Sequence, residues 1–144
     1  MKYIFSLSGI VPISLNKIYA GVHWDQRSKW KNEWRGAFTG WHFWQRPDGT
    51  YNAERPVRFE SPVEITYLFR MKKPMDSTNL AFMCKLIEDS LSQDKVIEDD
   101  TPKYVRSSKF IPVQGKENSV TVIVQTLDEP MMTYDEILAL DPNE

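Results

Sequence analysis

DSTNLAFMCKLIEDSLSQDKVIEDD, residues 76–100, is the stretch that decides the fold of this chain. Apolar side chains recur through its middle at helical spacing: Leu80, Met83, Leu86, Ile87 and Leu91. That period predicts a helix over residues 79–92 with one apolar side turned toward a core. Asp76, Ser77 and Thr78 come just before it, and all three are residue types that cap helix N-termini. The stretch therefore predicts an amphipathic helix with an acidic segment at each end.

Strands are predicted on both sides of this helix from the alternation of apolar and polar side chains. They cover residues 2–8, 62–69, 104–110 and 119–127. A second helix is predicted from near Ser28, because apolar side chains recur there at helical spacing. They are Trp30, Trp34, Ala37, Phe38 and Trp41. Residues 9–17, which contain Pro12, are predicted as a loop. The order β–α–β–α–β–β predicts an α+β fold with a single mixed or antiparallel sheet and helices packed on it.

Length and composition limit the class of protein. The chain has 144 residues, enough for one domain with a sizeable core. No apolar run approaches the ~20 residues of a membrane span, and no N-terminal segment has the pattern of a signal peptide. The lone Cys84 fits a reducing compartment. We therefore expect a cytoplasmic protein without membrane contact.

Charge is divided unevenly along the chain. Residues 128–144 contain six acidic side chains and no Lys or Arg, so residues 1–127 hold 18 basic and 14 acidic side chains, a net charge of +4. This boundary predicts a folded domain over residues 1–127 and an acidic C-terminal tail over residues 128–144. The tail is expected to be solvated and partly disordered. The alternative is that the tail shields a basic groove of the folded domain.

Aromatic and basic side chains are interleaved in the N-terminal half. All five tryptophans lie within residues 24–44, and basic side chains outnumber acidic ones eight to four between Lys17 and Arg58. Exposed rings that stack on bases, next to cations that meet phosphates, suit branched or single-stranded nucleic acid. Helix packing is the simpler explanation for four of the rings: Trp30, Trp34, Phe38 and Trp41. The better candidates for DNA contact are Trp24, Trp44, Arg27, Lys29 and Lys31. His23 and His42 have no spacing that suits zinc.

The acidic segments at the two ends of the helix over 79–92 carry the candidate chemistry. Asp76 precedes this helix and Glu98-Asp99-Asp100 follows it. Lys85 and Asp89 share one helical face at i, i+4 spacing. Separately, each has an ordinary explanation: a helix cap, a solvated turn and a surface salt bridge worth about 0.5 kcal/mol. Together, carboxylates that converge from a strand end and a turn are typical ligands of Mg²⁺. Water molecules and the phosphate oxygens of the substrate complete the coordination shell of the metal. The lysine beside them would stabilise negative charge developing on a phosphate.

At these residues the chain resembles the RusA-type Holliday-junction resolvases. Asp76-Ser77-Thr78-Asn79 resembles the family's Asp-x-Asp-Asn element, and Lys85 and Asp89 match the lysine and aspartate that follow it. Val96-Ile97-Glu98-Asp99-Asp100 is similar to the hydrophobic pair and Asp-Asp that end the motif. Pro12-Ile13-Ser14-Leu15-Asn16-Lys17 resembles the family's N-terminal opening. Lys109 stands about where the family has a lysine on the next strand, and the resemblance spans residues 1–126.

The resemblance implies a RusA-like fold and a Mg²⁺-dependent endodeoxyribonuclease, with Mn²⁺ as the alternative metal. Such an enzyme would act as a homodimer on branched DNA, the four-way Holliday junction, in DNA recombination and repair, and similar sequences are carried by prophages. The implied catalytic residues are Asp76, Lys85 and Asp100. The implied metal ligands are Asp76, Asp89, Asp99 and Asp100. Together with the basic pattern of the N-terminal half, the resemblance predicts these DNA-binding residues: Asn16, Lys17, Arg27, Lys29, Lys31 and Lys109.

Two departures from the family pattern leave alternatives open. Thr78 stands where the family has a second aspartate, a metal ligand, and a neutral hydroxyl binds Mg²⁺ more weakly. The step from Asn79 to Lys85 is longer by three residues, which changes the direction of the lysine by about 60° in a helix. A catalytically weakened or inactive DNA-binding relative of the same fold is therefore the alternative. A third alternative is an interaction module that presents its Trp-rich helix and acidic tail to a protein partner.

Overall fold

The computed structural model describes residues 1–19, 21, 24–44 and 58–140, and only the backbone at residues 19, 24 and 36–44. Its strands are β1 (Lys2–Ser8), β2 (Val63–Met71), β3 (Val105–Gln114) and β4 (Ser119–Thr126). Its helices are α1 (Leu15–Tyr19), α2 (Trp24–Trp44), α3 (Ala81–Gln93) and α4 (Tyr134–Leu138), with a 3₁₀ turn at Ser77–Leu80. His23 lies outside the described residues, as do the side chains of Trp24, Phe38, Trp41, His42 and Trp44.

Within the described residues, the four strands form one mixed sheet in the order β1-β4-β2-β3. β4 pairs antiparallel with both β1 and β2, whereas β2 and β3 run parallel. The two central strands are buried along nearly their whole length, because both faces of the sheet are covered. The predicted α+β fold with a single mixed sheet is therefore confirmed. Among the described helices, none has the length and apolar character needed to cross a membrane.

One face of the sheet packs against α3. Ile65, Tyr67 and Phe69 alternate onto this face of β2 and are at most 1% exposed. Opposite them lie the apolar side chains of the stretch 76–100 that were predicted to share a helical face, and all are buried. Trp34 of α2 joins the same core, which agrees with the prediction that it packs rather than binds a ligand. Burial of this kind stabilises the fold by roughly 1.5–3 kcal/mol for each large side chain.

The opposite face of the sheet is covered by the acidic C-terminal segment. Ile137 of α4 is 1% exposed and packs on Leu68 and Ile123. Arg70 of β2 donates hydrogen bonds to the backbone oxygens of Leu138, at 3.4 Å, and of Leu140. The prediction of a solvated, partly disordered tail is wrong for residues 133–140, because an apolar residue anchors the helix and an arginine satisfies its C-terminal carbonyls.

The boundaries of other elements also differ from the predictions. The predicted loop over residues 9–17 contains the start of α1, because the Ser14 hydroxyl accepts a hydrogen bond from the Lys17 backbone N–H at 3.1 Å. The strand predicted to end at Phe110 continues to Gln114 through Pro112. Since β3 is an edge strand, a residue without an N–H costs no hydrogen bond there.

Candidate active site around Lys85

Lys85 lies on the solvent side of α3 and forms ion pairs with two aspartates. Its Nζ is 3.0 Å from Asp89 Oδ1, one turn further along α3, and 2.6 Å from Asp100 Oδ2. The side chains of Lys85, Asp89 and Asp100 are 58%, 36% and 23% exposed. The structure thus brings together three of the predicted site residues at a position that is open to a substrate.

The segment between α3 and β3 carries the Asp-Asp pair to Lys85. Val96 and Ile97 are almost fully buried, and the Phe59 N–H donates to the Val96 carbonyl oxygen at 2.7 Å. This anchor fixes the acidic residues that follow it. Asp99 Oδ1 accepts a hydrogen bond from the Asp100 backbone N–H at 2.8 Å. The alternation of a buried apolar pair and exposed acids therefore turns Asp99 and Asp100 outward beside α3.

The charges of the site stabilise one another. The hydrogen bond with Asp100 raises the pKa of Lys85 above its ordinary value, and the contacts with Asp89 add to the increase. The hydrogen bond from Lys85 lowers the pKa of Asp100, and hydrogen bonding with Asp89 and Asp99 lowers it further. Lys85 is therefore an ammonium and Asp100 a carboxylate across the neutral range.

The donor set suits a hard divalent cation by its chemistry. Among the residues that the structure describes, no three of His, Cys, Asp and Glu form a group that could hold a metal ion. Mg²⁺ usually takes only one or two protein carboxylates, together with water and phosphate oxygens. Asp99 and Asp100 provide carboxylates of that kind. The Lys85 ammonium already pairs with Asp89 and Asp100, so a second cation would compete with it for these carboxylates.

The segment before α3 does not cap the helix as predicted. Asp76 precedes the 3₁₀ turn in an extended conformation (φ −58°, ψ 145°) and makes no side-chain capping bond. Leu80 occupies the N-cap position of α3, because the 3₁₀ turn separates the polar residues from the helix proper. Asp76 and Thr78 are consequently exposed. The Asp76 backbone oxygen instead accepts from the Asn79 N–H at 2.9 Å.

Asn79 joins the two segments that carry the family resemblance. Its Oδ1 accepts a hydrogen bond from the Asn16 backbone N–H at 3.3 Å, across 63 positions of sequence. Asn16 is exposed at the start of α1, and the turn at Ser77–Leu80 lies against it. The structure therefore brings the N-terminal opening of the pattern next to Asn79, the last residue of the Asp76–Asn79 element.

Glu88 is a polar residue of this region that the sequence analysis missed. Its Oε1 accepts from the Tyr67 hydroxyl at 3.0 Å and from Ser108 Oγ at 2.6 Å. Burial raises the pKa of Tyr67 well above its usual value, and the Glu88 carboxylate raises it further. Glu88 stands three residues after Lys85, so helical spacing alone places it near the site. Its partners on β2 and β3 depend on strand register, which the sequence does not give.

The predicted DNA-binding residues of α1 and α2 fall into two groups. Lys17 Nζ lies 5.9 Å from the Trp30 ring centroid, a cation–π distance, and both Lys29 and Lys31 are exposed. Arg27 is different, because its Nη2 donates to the Ile18 backbone oxygen at 3.1 Å. Arg27 therefore holds α2 against α1, whereas the lysines present their charge to solvent.

Lys109 lies on the opposite face of the sheet from Lys85. Ser108 reaches Glu88 on the α3 side, and successive side chains of a strand alternate between faces. Lys109 pairs in register with Thr66 and is exposed. The structure therefore does not bring Lys109 together with Lys85, although Asp100, which pairs with Lys85, precedes the strand that carries Lys109.

Comparison with models of known protein families finds no match to the chain, and a search of curated proteins finds none either.

Proposed function

We propose that this chain is a Mg²⁺-dependent endodeoxyribonuclease of the RusA type that cleaves branched DNA. The observation that carries the proposal is the group formed by Lys85, Asp89 and Asp100 with Asp99 beside them. A cation between partly exposed carboxylates is suited to hold a phosphodiester next to metal ligands. The order and spacing of these residues in the sequence resemble those of the resolvases.

In this proposal Asp99 and Asp100 would hold Mg²⁺ or Mn²⁺ together with water and phosphate oxygens. The implied ligands Asp76 and Asp89 would have to move to join them, because the described residues form no group of three acids. The bound metal would polarise a phosphoryl oxygen and lower the pKa of a coordinated water. Lys85 then directs its ammonium at the scissile phosphate, where it stabilises the charge of the transition state. Its raised pKa keeps it protonated for that role.

The proposed substrate is a four-way DNA junction bound by a homodimer. A two-fold dimer presents two equivalent sites, which allows paired nicks in a two-fold symmetric junction. The exposed lysines of α1 and α2 (Lys17, Lys29 and Lys31) would provide the basic surface that contacts phosphates, with Lys17 beside Trp30. Asn16 would add to this surface, and Lys109 would contact DNA from the edge of the sheet. Arg27 would act indirectly, because its hydrogen bond to Ile18 holds α2 against α1.

Cleavage of a synthetic junction in millimolar Mg²⁺ tests the proposal. The chain should nick the junction, and Asp100→Asn should abolish nicking while junction binding persists. Asp135→Asn is the matched control, because Asp135 is exposed on α4. It should cleave as the parent chain does. A parent chain that binds the junction and leaves it intact in both Mg²⁺ and Mn²⁺ would remove the enzymatic part.

The second candidate function is DNA binding without turnover, on the same fold. The observations that favour it are the exposed Thr78 in place of a carboxylate and the Lys85 ammonium that already pairs with two of the acids. In that case the basic surface is used and the acidic group is vestigial. Salt-sensitive junction binding that no substitution at position 78 converts into cleavage would identify it.

A further inference from the structure

The sheet ends in a strand whose sequence is basic and free of acids. Residues 101–116, TPKYVRSSKFIPVQGK, contain Lys103, Arg106, Lys109 and Lys116 and no Asp or Glu. β3 accounts for most of this segment, and within the described residues it pairs only with β2, so its other side is an open edge. The first three basic residues are exposed. The edge therefore presents a positive charge that the net charge of the chain conceals.

This edge begins beside the candidate active site. Asp100 directly precedes the segment, and the Thr101 backbone oxygen accepts from the N–H groups of Tyr104 and Val105, both at 2.9 Å, in the turn that starts β3. Lys103 Nζ lies 5.3 Å from the Tyr104 ring centroid, which holds its side chain at this turn. The basic edge and the group around Lys85 are thus two parts of one continuous surface.

Side chains from both faces of the sheet flank the open edge. Ser108 turns toward α3, where it donates to Glu88, and Lys109 turns to the other face. The described carboxylates near the strand include Glu88, whose Oε1 is occupied by two hydrogen bonds, and Glu64, which pairs in register with Ser107. Asp99 and Asp100 precede the segment, and Asp100 pairs with Lys85. None of these acids belongs to residues 101–116, so the charge within the segment itself is positive.

The edge is poorly suited to accept another strand. Pro112 interrupts its donors, and exposed Lys and Arg side chains on an edge oppose strand addition. An elongated polyanion is the partner that such an edge fits. Arg106 lies at the register shift between Val105 and Ser107, and Lys109 follows it three residues later, so the two cations lie within about 10 Å of each other along the strand. Cations that recur along an edge in this way can contact successive phosphates of one nucleic-acid strand.

We propose that Lys103 and Arg106 bind the sugar–phosphate backbone of nucleic acid along the open edge of β3, and that Lys109 extends this contact. The inference rests on the proposed function for the identity of the polyanion. It adds a second contact surface to the lysines of α1 and α2, and this surface leads the backbone past Asp100.

The test is binding of a labelled four-way junction across a salt series. Lys103→Gln combined with Arg106→Gln should weaken binding at least ten-fold at low salt and lower the slope of log K against log salt by about 2, which is about 1 for each phosphate contact. The loss should be the same for two junctions of unrelated sequence, because phosphate contacts carry no sequence information. Lys2→Gln combined with Lys73→Gln is the control of equal charge, since these exposed residues lie on β1 and in the loop after β2, outside the basic segment. It should change the slope by less than half as much.

Each outcome separates this inference from the proposed function. A parent chain that binds the junction, with equal slopes for the edge variant and the control, would overturn the inference and leave the proposed function standing. A parent chain with no salt-sensitive affinity for DNA would overturn both and favour an acidic protein as partner. Because the substituted side chains are exposed, the variants should keep the circular dichroism spectrum and melting temperature of the parent chain. Both measurements then show that a loss of binding is not a loss of folding.

Discussion

Lys85 Nζ and Asp100 Oδ2 are 2.6 Å apart, although the two residues belong to a helix and to the turn beyond it. This ion pair is the point at which the acidic turn and α3 meet. It gives the acids after Val96-Ile97 a defined position relative to the helix. It also makes the Lys85 ammonium a competitor of any metal ion that would bind Asp100. Its geometry therefore underlies both the chemistry and the pH dependence that we expect of the protein.

The ion pair should make a small, pH-dependent contribution to stability. The pKa of Asp100 is lowered by Lys85, so its contribution is present above the ordinary pKa of an aspartate and is lost as the pH falls through the lowered value. Because Lys85 is largely exposed, the contribution is expected to be below about 1 kcal/mol. Urea unfolding at pH 7 should show Asp100→Asn slightly less stable than the parent, and the difference should shrink as the pH falls below the ordinary pKa of an aspartate. A difference that stays the same throughout the acidic range would mean that something other than this ion pair is lost.

Removal of the lysine should affect metal binding and cleavage in opposite directions. In Lys85→Gln the ammonium no longer competes for Asp100, so Mn²⁺ should bind about two- to five-fold more tightly, the equivalent of an exposed ion pair. Cleavage should fall by about 10²–10³-fold, as expected when one group that stabilises the transition state is lost. Electron paramagnetic resonance titration and junction cleavage measure the two effects. Lys72→Gln, an exposed lysine just beyond β2, is the control for both. Weaker Mn²⁺ binding in Lys85→Gln would contradict the assignment of Asp100 as a ligand.

Thr78 tests whether the site is weakened or vestigial. Its side chain is exposed in the turn at Ser77–Leu80, so an aspartate can replace it without disturbing the core. Thr78→Asp should raise the cleavage rate at least ten-fold if the missing carboxylate limits the activity. Ser77→Asp places the same charge one residue earlier and should leave the rate unchanged. Equal rates in the parent, Thr78→Asp and Ser77→Asp would favour the DNA-binding alternative.

The central part of the fold could be predicted because its residues are locally consistent. The alternation in Val63–Met71 and the helical spacing between Leu80 and Leu91 each specify one element, and both face the same core. The α+β class follows from the order of such elements. Parallel pairing of β2 with β3 does not follow, because register depends on contacts between residues far apart in the sequence.

The candidate site was predictable in its composition and only partly in its geometry. The i, i+4 spacing gave the pair of Lys85 and Asp89, whereas the approach of Asp100 depends on the burial of the residues before it. Glu88 was missed because its partners belong to other strands. The face on which Lys109 lies could have been inferred only from the pairing of Ser108, since one position along a strand reverses the face.

The C-terminal segment provides the last prediction, because its acidic composition concealed a folded helix. Thr133 and Glu136 form a capping box, with hydrogen bonds of 3.2 and 3.1 Å between the side chain of each and the backbone of the other. Ile137→Ala removes the side chain that packs on Leu68 and should lower the free energy of unfolding by about 2–5 kcal/mol. Leu138→Ala, which changes the exposed neighbour on the same helix, should cost less than about 0.5 kcal/mol beyond the change in helix propensity. Urea denaturation of both variants measures the difference. Equal, small losses of unfolding free energy in the two variants would mean that residues 133–140 add little to the stability of the domain. A large loss in Ile137→Ala alone would show that they are part of the folded domain.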